Sequence, residues 1–410
     1  MRIVIDMQGA QAANRFRGIG RYTLGWTEGV IRHRGGHEIF LALNGHFPDS
    51  IEAIRAAFDG LLPQENIRVW DAPAQVAAVS PDNEIRRQTA ELVREAFLAS
   101  LQPDVIHITS LFEGYGDDAV TSIARFDSVS PVSVTLYDLI PLLNPKLYLL
   151  PNPDYAGYYG RKIGFLKKSA LLLAISESSR QEGLQHLGVD AQAVVNVSTA
   201  IGAEFQPTAV DDATADALRE KFGLTRPFVL YTGGADQRKN LTGLIEAYAA
   251  LPKDLRQGHQ LVFVCKMNDG LIDELKQIAR KQGMGADELC FTGYVSDEAL
   301  ILFYRLCRLF VFPSWHEGFG LPALEAMACG APVIGANTSS LPEVIGEERA
   351  LFDPFDVQSI CNKMTEALRD EDFRKRLRAH GLQQAGLFSW DETARRSIAA
   401  WEKLFHTTHP

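Results

Sequence analysis

The sequence predicts an α/β protein built from two successive units, each with a parallel β-sheet covered by helices. First, short apolar runs rich in β-branched residues alternate with helical periodicity, a pattern typical of parallel sheets buried on both faces. Second, the alternation pauses between Glu204 and Thr225 and then restarts. Third, a length of 410 residues favours two domains, or at most three. Two units joined near residue 205 satisfy all three observations.

Strands of the first unit are predicted where a short apolar run is bounded by turn residues, and helices where apolar residues recur at helical spacing. The predicted strands cover residues 2–6, 37–43, 105–109, 132–136, 171–175 and 193–197, and the helices cover residues 20–32, 84–101 and 178–186.

The same patterns restart in the second unit. The predicted strands cover residues 228–232, 261–266, 289–292, 309–312 and 332–336, and the helices cover residues 241–250 and 271–282. A last helix is predicted over residues 390–405, where Ser389 and Glu392 have the spacing of a capping box. Its apolar positions recur at helical spacing, so this helix is expected to dock on another element. They are Trp390, Ala394, Ile398, Trp401 and Phe405.

Composition and charge exclude several classes of protein. With 41 Lys and Arg against 51 Asp and Glu, the net charge is −10, which does not favour a nucleic-acid partner. The apolar runs are far shorter than the roughly 20 residues that cross a bilayer, and Asp6 comes too early for the core of a signal peptide. The five cysteines show no CxxC spacing. They predict reduced thiols, neither disulfides nor a zinc site, and a cytoplasmic location.

The most informative segment runs from residue 312 to 332. A predicted strand ends at Phe312, a glycine-rich loop follows, and Pro322 falls in the first turn of a helix. The free backbone amides and the positive dipole of a helix start attract anions. Glu317 and Glu325, with seven residues between them, can both face a ligand held there. The alternative, equally weighted on spacing alone, is an ordinary helix start with two solvated glutamates.

A second segment leaves the strand at residues 228–232. It passes Gly233 and Gly234 and places Arg238 and Lys239 before a helix. Glycines permit a close approach of the backbone, and the two cations can neutralise a diphosphate. The alternative is a strand-to-helix turn with surface charges, but two phosphate-suited turns in one α/β unit are harder to explain by chance.

Two further loops are less specific. Tyr294 and Val295 follow a predicted strand and suit the edge of a nucleobase, although an ordinary turn explains them equally well. Gly18 and Gly20 follow the first strand, but Tyr22-Thr23 stands where a dinucleotide fingerprint has its third glycine. The sequence therefore disfavours an NAD site, while the loop can still approach a phosphate or a sugar.

Together these segments resemble the retaining glycosyltransferases of family 4, over nearly the whole chain. Residues 316–326, His-Glu-Gly-Phe-Gly-Leu-Pro-Ala-Leu-Glu-Ala, are similar to the E-x7-E signature of that family. The segments Asp6-Met-Gln-Gly-Ala, Phe16-Arg-Gly-Ile-Gly-Arg-Tyr and Tyr137-Asp-Leu-Ile-Pro resemble a subgroup of bacterial polysaccharide enzymes, many of which use GDP-mannose. The resemblance implies a GT-B fold, with two Rossmann-like domains whose parallel sheets face each other across a cleft.

The resemblance also implies domain and residue roles. Residues 1–205 are expected to bind the acceptor and residues 206–385 the nucleotide sugar, while residues 386–410 form a helix that packs back on the N-terminal domain. Arg238 and Lys239 would stabilise the departing diphosphate. Glu317 would contact the transferred sugar and Glu325 the ribose. Further residues implied at the donor are Gly18, Gly20, Gly233, Gly234, Tyr294, Val295, Gly318, Phe319, Gly320 and Leu321.

One position departs from the family pattern. Many members have His-Asp where this chain has Tyr137-Asp138. A tyrosine with an ordinary pKa of about 10 donates a hydrogen bond but is no base near neutral pH. Either Tyr137 serves as a contact or Asp138 does more here. The retaining mechanism implied by the family mainly requires cationic stabilisation of the leaving phosphate, so no metal is expected.

The expected function is therefore transfer of mannose from GDP-mannose to a saccharide acceptor, lipid-linked, in the synthesis of a bacterial surface polysaccharide such as an O-antigen. No cofactor besides the donor substrate is expected. Contact with the inner face of the cytoplasmic membrane stays open, because a basic run on a predicted helix can attract anionic lipids. Three alternatives remain: a UDP-sugar donor, an epimerase or phosphorylase of the same architecture, and a binding-only protein.

Overall fold

The computed structural model describes residues 1–408 and divides the chain into two compact units. Unit 1 comprises residues 1–200 together with the stretch from Ser389 onward, and unit 2 comprises Ile201–Phe388. The sequence placed these boundaries after residues 205 and 385. Each unit contains one β-sheet in which every neighbouring pair of strands is parallel, so the predicted α/β class with two Rossmann-like sheets is confirmed.

The sheet of unit 1 has seven strands in the order β3-β2-β1-β4-β5-β6-β7. Its central strands β1, β4 and β5 are buried along almost their whole length, as is typical of parallel strands that are covered on both faces. The strands are β1 (Arg2–Asp6), β2 (Glu38–Asn44), β3 (Ile67–Trp70), β4 (Val105–Ile108), β5 (Val132–Leu136), β6 (Leu171–Ala174) and β7 (Val194–Asn196). The helices are α1 (Gly18–His33), α2 (Pro48–Ala57), α3 (Glu84–Ser100), α4 (Ile140–Leu143), α5 (Pro145–Tyr148), α6 (Pro153–Leu166) and α7 (Glu177–His186).

The sheet of unit 2 has six strands in the order β10-β9-β8-β11-β12-β13. The strands are β8 (Phe228–Thr232), β9 (Gln260–Val264), β10 (Leu289–Phe291), β11 (Leu309–Phe312), β12 (Val333–Ala336) and β13 (Leu351–Phe352). Its helices are α8 (Asp212–Phe222), α9 (Leu241–Ala249), α10 (Lys253–Gly258), α11 (Asp269–Lys281), α12 (Asp297–Leu306), α13 (Leu321–Ala328), α14 (Leu341–Ile345), α15 (Val357–Arg369) and α16 (Glu371–Ala385). The last helix of the chain, α17 (Trp390–Thr408), belongs to unit 1.

The predicted strands are present, and their ends differ from the predicted ends by at most two residues. Two strands were missed, β3 and β13. Strand β3 is an edge strand whose two middle residues are exposed, and β13 has only two residues, so neither shows an apolar run long enough to recognise. No helix within residues 1–408 combines the length and the apolar character needed to cross a membrane.

Helix α17 packs along helix α1, as its apolar face predicted. Two glycines of α1 make the approach possible: a Cβ at Gly25 would lie 2.6 Å from the Trp390 ring, and one at Gly29 would lie 2.7 Å from the Trp390 carbonyl oxygen. The indole of Trp26 also donates a hydrogen bond to Ser397 (2.9 Å). Helix α17 is therefore fixed on the first helix of unit 1.

Candidate functional site

Two loops of unit 2 leave the same edge of the sheet from neighbouring strands. Strands β8 and β11 are paired in parallel although β9 and β10 lie between them in the sequence. In sheets of this type ligands bind beyond the carboxyl ends of the strands, at the point where the strand order reverses. The loop after β8 carries Arg238 and Lys239, and the loop after β11 carries Glu317. The topology therefore brings the two predicted phosphate-suited segments to the binding edge.

Glu317 lies between the two predicted cations. Its carboxylate accepts hydrogen bonds from Lys239 Nζ (2.6 Å) and from Arg238 Nη1 (2.8 Å). Arg238 Nη1 also donates to the His316 carbonyl oxygen (2.6 Å). Both Glu317 and Lys239 are buried. The cluster thus joins two cations to one carboxylate at the binding edge.

The electrostatics of this cluster follow from burial and from the close charges. Burial by itself would raise the pKa of Glu317, but Lys239 and Arg238 outweigh it and lower that pKa to about 2. Burial also lowers the pKa of the Lys239 ammonium, an effect that the Glu317 carboxylate opposes. Glu317 is therefore ionised at neutral pH. Among residues 1–408, no three His, Cys, Asp or Glu side chains are grouped so that they could hold a metal ion.

Serines hold the loop that carries Glu317. Ser339 Oγ accepts a hydrogen bond from the Glu317 amide (3.0 Å), and Ser340 Oγ donates one to the Phe319 carbonyl oxygen (2.7 Å). The Trp315 amide donates to the Arg238 carbonyl oxygen (3.0 Å), which joins this loop to the one after β8. The sequence analysis missed both serines, because a serine before a short helix is indistinguishable from an ordinary cap.

Gly320 turns the chain into helix α13. Its φ of +103° lies in a region that favours glycine, and a Cβ there would lie 2.6 Å from the Leu341 side chain. Leu321 is the first residue of the helix, and Phe319 is buried with its ring edge-on to Phe388 (5.4 Å). The predicted arrangement of a glycine-bracketed loop before a helix start, with Gly318 beside Glu317, is therefore present.

Glu325 lies on α13 and is held from a different helix. Its Oε2 accepts a hydrogen bond from the Tyr304 hydroxyl on α12 (2.8 Å). The same hydroxyl lies 2.8 Å from Oγ1 of Thr232, the last residue of β8. All three side chains are buried. The sequence analysis missed Tyr304, since a tyrosine on the apolar face of a helix is normally a core residue.

The glycine turn after β8 is also supported from the core. The Tyr231 hydroxyl donates to the Gly234 carbonyl oxygen (2.6 Å), while Gly233 has a φ of +136°. The Lys239 ammonium lies 5.4 Å from the centre of the Phe312 ring, within range of a cation–π contact. The turn and the ammonium therefore both rest on aromatic side chains of the sheet.

The predicted nucleobase residues lie at the same edge but outside this cluster. Tyr294 and Val295 follow β10, which β9 separates from β8. The Tyr294 side chain is 80% exposed. The described contacts therefore do not join these two residues to Glu317 or Glu325.

The predicted glycines of unit 1 lie at the start of α1. Gly18 is the first residue of that helix and is exposed. Gly20 is buried, and a Cβ there would lie 1.9 Å from the Arg15 carbonyl oxygen. Packing of the preceding loop against the helix is thus sufficient to require a glycine at position 20.

Tyr137 and Asp138 follow β5 in unit 1. The Tyr137 ring lies edge-on to Tyr22 (5.3 Å), and burial raises its pKa well above the ordinary value. Asp138 Oδ1 accepts a hydrogen bond from the Ile140 amide (3.1 Å) at the start of α4. Both residues therefore have a structural role within unit 1, and their predicted catalytic roles stay predictions.

A family model described as "Glycosyl transferases group 1" matches residues 214–384. The serotype-specific mannosyltransferase WbdA of Escherichia coli is 38% identical over 412 aligned residues, which cover 100% of this chain and 49% of WbdA. The O-antigen chain mannosyltransferase B of E. coli is 34% identical over 242 residues, or 58% of this chain and 62% of that protein. This chain thus spans about half the length of WbdA.

Solved structures show the same architecture. The Anabaena protein Alr3699/HepE, crystallised with UDP and glucose, superposes with a TM-score of 0.67 at 18% identity and covers 97% of this chain and 98% of its own. WaaG, a glycosyltransferase of lipopolysaccharide biosynthesis, superposes with a TM-score of 0.65 at 14% identity, covering 97% and 98%. At these identities the likeness concerns the fold alone.

Proposed function

Because residues 214–384 of this chain belong to the group 1 glycosyl transferases, we propose that the chain transfers mannose from GDP-mannose to a saccharide acceptor. The reaction is proposed to serve bacterial O-antigen synthesis and to retain the anomeric configuration of the donor. The observation that carries the proposal is the Glu317 carboxylate between Arg238 and Lys239 at the reversal point of the sheet. Mannose and the O-antigen are suggested by the names of the relatives. GDP and retention rest on the likeness to family 4.

The two cations are proposed to act on the leaving group. As the bond between the sugar and the diphosphate breaks, negative charge grows on the departing oxygen. Arg238 and Lys239 stabilise that charge, which is greater in the transition state than in the bound substrate. The acceptor hydroxyl attacks from the same face, and its proton passes to the departing diphosphate oxygen. No side chain is then needed as a strong base.

Glu317 has two proposed roles. Its negative charge holds two cations side by side that would otherwise repel each other. It also contacts the hydroxyls of the transferred sugar, while the amides of Gly318, Phe319 and Gly320 meet the sugar and phosphate. A carboxylate with a pKa of about 2 keeps its charge throughout the neutral range, which suits a group that positions and accepts hydrogen bonds.

The remaining assignments are part of the same proposal. Glu325 accepts hydrogen bonds from the ribose hydroxyls, and Tyr294 with Val295 lies beside the base. Tyr137 and Asp138 stay candidates for contacts with the sugars. The acceptor is proposed to be lipid-linked, the chain to act in the cytoplasm, and no metal to be required.

A nucleotide panel tests the donor. We expect GDP at about 100 times its Kd to stabilise the protein by roughly 2.7 kcal/mol and to raise the melting temperature by several degrees, whereas UDP, ADP and dTDP give little shift. Differential scanning fluorimetry measures it. A shift with UDP alone would replace the proposed donor and leave the chemistry, and no shift with any of the four would contradict the proposed function.

The stereochemistry of the product tests the mechanism. With GDP-α-mannose as donor we expect an α-mannoside, because the acceptor attacks from the face that the diphosphate leaves. NMR of the product reports the anomer through the one-bond C1–H1 coupling. A β-mannoside would rule out retention. Conversion of the donor without any acceptor would instead favour an epimerase.

A further inference from the structure

Tyr304 connects two parts of the proposed donor site from inside the core of unit 2. Its ring is fully buried and lies edge-on to Phe310 (5.7 Å) and to Phe205 (6.3 Å). A phenylalanine would fill this aromatic space equally well. The hydroxyl is the part that packing does not explain, because a buried polar group is unfavourable unless it is hydrogen-bonded.

The direction of its hydrogen bonds follows from the chemistry of the three groups. The Tyr304 hydroxyl has a single proton, and it donates that proton to Glu325 Oε2 (2.8 Å). The Thr232 hydroxyl must then donate to the Tyr304 oxygen (2.8 Å). Thr232, Tyr304 and Glu325 are thus connected by two successive hydrogen bonds, and each bond polarises and strengthens the other. Burial and the neighbouring Glu325 charge raise the pKa of Tyr304 well above its ordinary value, so Tyr304 stays a donor.

These two hydrogen bonds connect the end of strand β8 to the Glu325 carboxylate. Thr232 is the last residue of β8 and directly precedes the glycine turn at Gly233. Glu325 lies on α13, which follows β11. One hydroxyl therefore couples the orientation of the carboxylate to the loop that carries Arg238 and Lys239.

We propose that Tyr304 is a positioning residue that sets the direction in which the Glu325 carboxylate faces the donor ribose. This inference rests on the proposed role of Glu325 as the ribose ligand. Holding Oε2 restricts rotation of the carboxylate, so binding of the ribose hydroxyls requires less ordering. Tyr304 then acts on nucleotide affinity through Glu325 and touches neither the nucleotide nor the reacting atoms.

The test compares ribose recognition in Tyr304→Phe and in the wild type. Calorimetric titrations with GDP and UDP, and with the 2′,3′-dideoxy form of each, give the ratio of Kd for the dideoxy form to Kd for the parent. We expect a ratio of roughly ten or more in the wild type, because a buried carboxylate left without its ribose hydroxyls loses strong hydrogen bonds. In Tyr304→Phe we expect the ratio to fall to within about threefold of one, with kcat at saturating donor nearly unchanged. A purely structural defect would weaken both ligands and leave the ratio as it was.

Matched variants keep the inference falsifiable. Tyr248→Phe removes another buried hydroxyl of unit 2, bonded to the Arg256 carbonyl oxygen (3.2 Å), and should leave the ratio unchanged. Thr232→Val keeps Tyr304 but removes the hydroxyl that donates to it, and should lower the Kd ratio less than Tyr304→Phe does. This variant also tests the inference if Tyr304→Phe does not fold. Glu325→Ala should bring the ratio to about one, with no further loss when Tyr304→Phe is added.

The outcomes separate this inference from the function on which it rests. A wild-type ratio near one, or a ratio that Glu325→Ala leaves intact, would overturn the ribose role of Glu325 and the positioning role with it. If the Kd ratio falls to about one in Glu325→Ala but keeps its wild-type value in both Tyr304→Phe and Thr232→Val, the positioning role of Tyr304 alone is overturned.

Discussion

Replacing Arg238 by alanine is expected to lower kcat/KM for the proposed mannosyl transfer by about three orders of magnitude. The reason is that a positive charge placed at a departing phosphate acts mainly in the transition state. Lys239 cannot compensate, because without Arg238 the charge of Lys239 is balanced by the Glu317 carboxylate. Initial rates with GDP-mannose and a mannose-terminated acceptor measure the effect.

The chain offers a closely matched control in Arg256→Ala. Arg256 pairs with Glu288 at 3.0 Å, and the exposed fractions of the two side chains are 20% and 9%. For Arg238 and Glu317 the distance is 2.8 Å and the exposed fractions are 19% and 8%. Both substitutions should therefore reduce the melting temperature to a similar extent, and only Arg238→Ala should lower kcat/KM by about three orders of magnitude. Equal activity of the two variants would contradict the role of Arg238 at the leaving group.

Glu317→Gln is expected to destabilise unit 2 strongly at neutral pH, and the loss should shrink in acid. At pH 7 the substitution leaves the buried Lys239 ammonium and the partly buried Arg238 guanidinium without their carboxylate, which costs about 3–5 kcal/mol. The folded pKa of about 2 lies below the ordinary value of 4.5. The ionised carboxylate therefore contributes stability that is fully present above about pH 4.5 and is lost as the pH falls towards 2. This pKa shift contributes about 3 kcal/mol to the free energy of unfolding at neutral pH.

Calorimetric melting of the wild type and of Glu317→Gln between pH 3 and 7 measures this change. The difference in melting temperature should narrow as the pH falls below about 4.5, since a protonated glutamate and a glutamine carry the same charge. Tyr248→Phe removes a hydrogen bond between neutral groups, so its difference from the wild type should stay constant. A Glu317→Gln difference that is the same at pH 7 and pH 3 would show that Glu317 is not held as an ion.

The sequence predicted the fold well because that information is local. A parallel strand buried on both faces often shows a continuous apolar run, as in residues 309–312 or 228–231, and such a run is visible without any knowledge of neighbouring strands. Strand β3 has two exposed middle residues and was missed for the same reason. The Tyr137-Asp138 pair depends instead on contacts distant in sequence. Its departure from the family pattern was evident from the sequence, but the packing of the buried Tyr137 ring against Tyr22 was not.

The sequence by itself determined the two α/β units, the glycine-rich turns after β8 and β11, and the residue types that can hold a diphosphate. Each of these depends on neighbours along the chain: a strand end, a glycine with positive φ, a helix start. Only the tertiary structure decided that Glu317 lies between Arg238 and Lys239, almost eighty positions earlier in the chain, and that Tyr304 holds Glu325. Strand order brings those groups together, and because strand order depends on contacts distant in sequence, it leaves no local pattern from which a side-chain partner can be recognised.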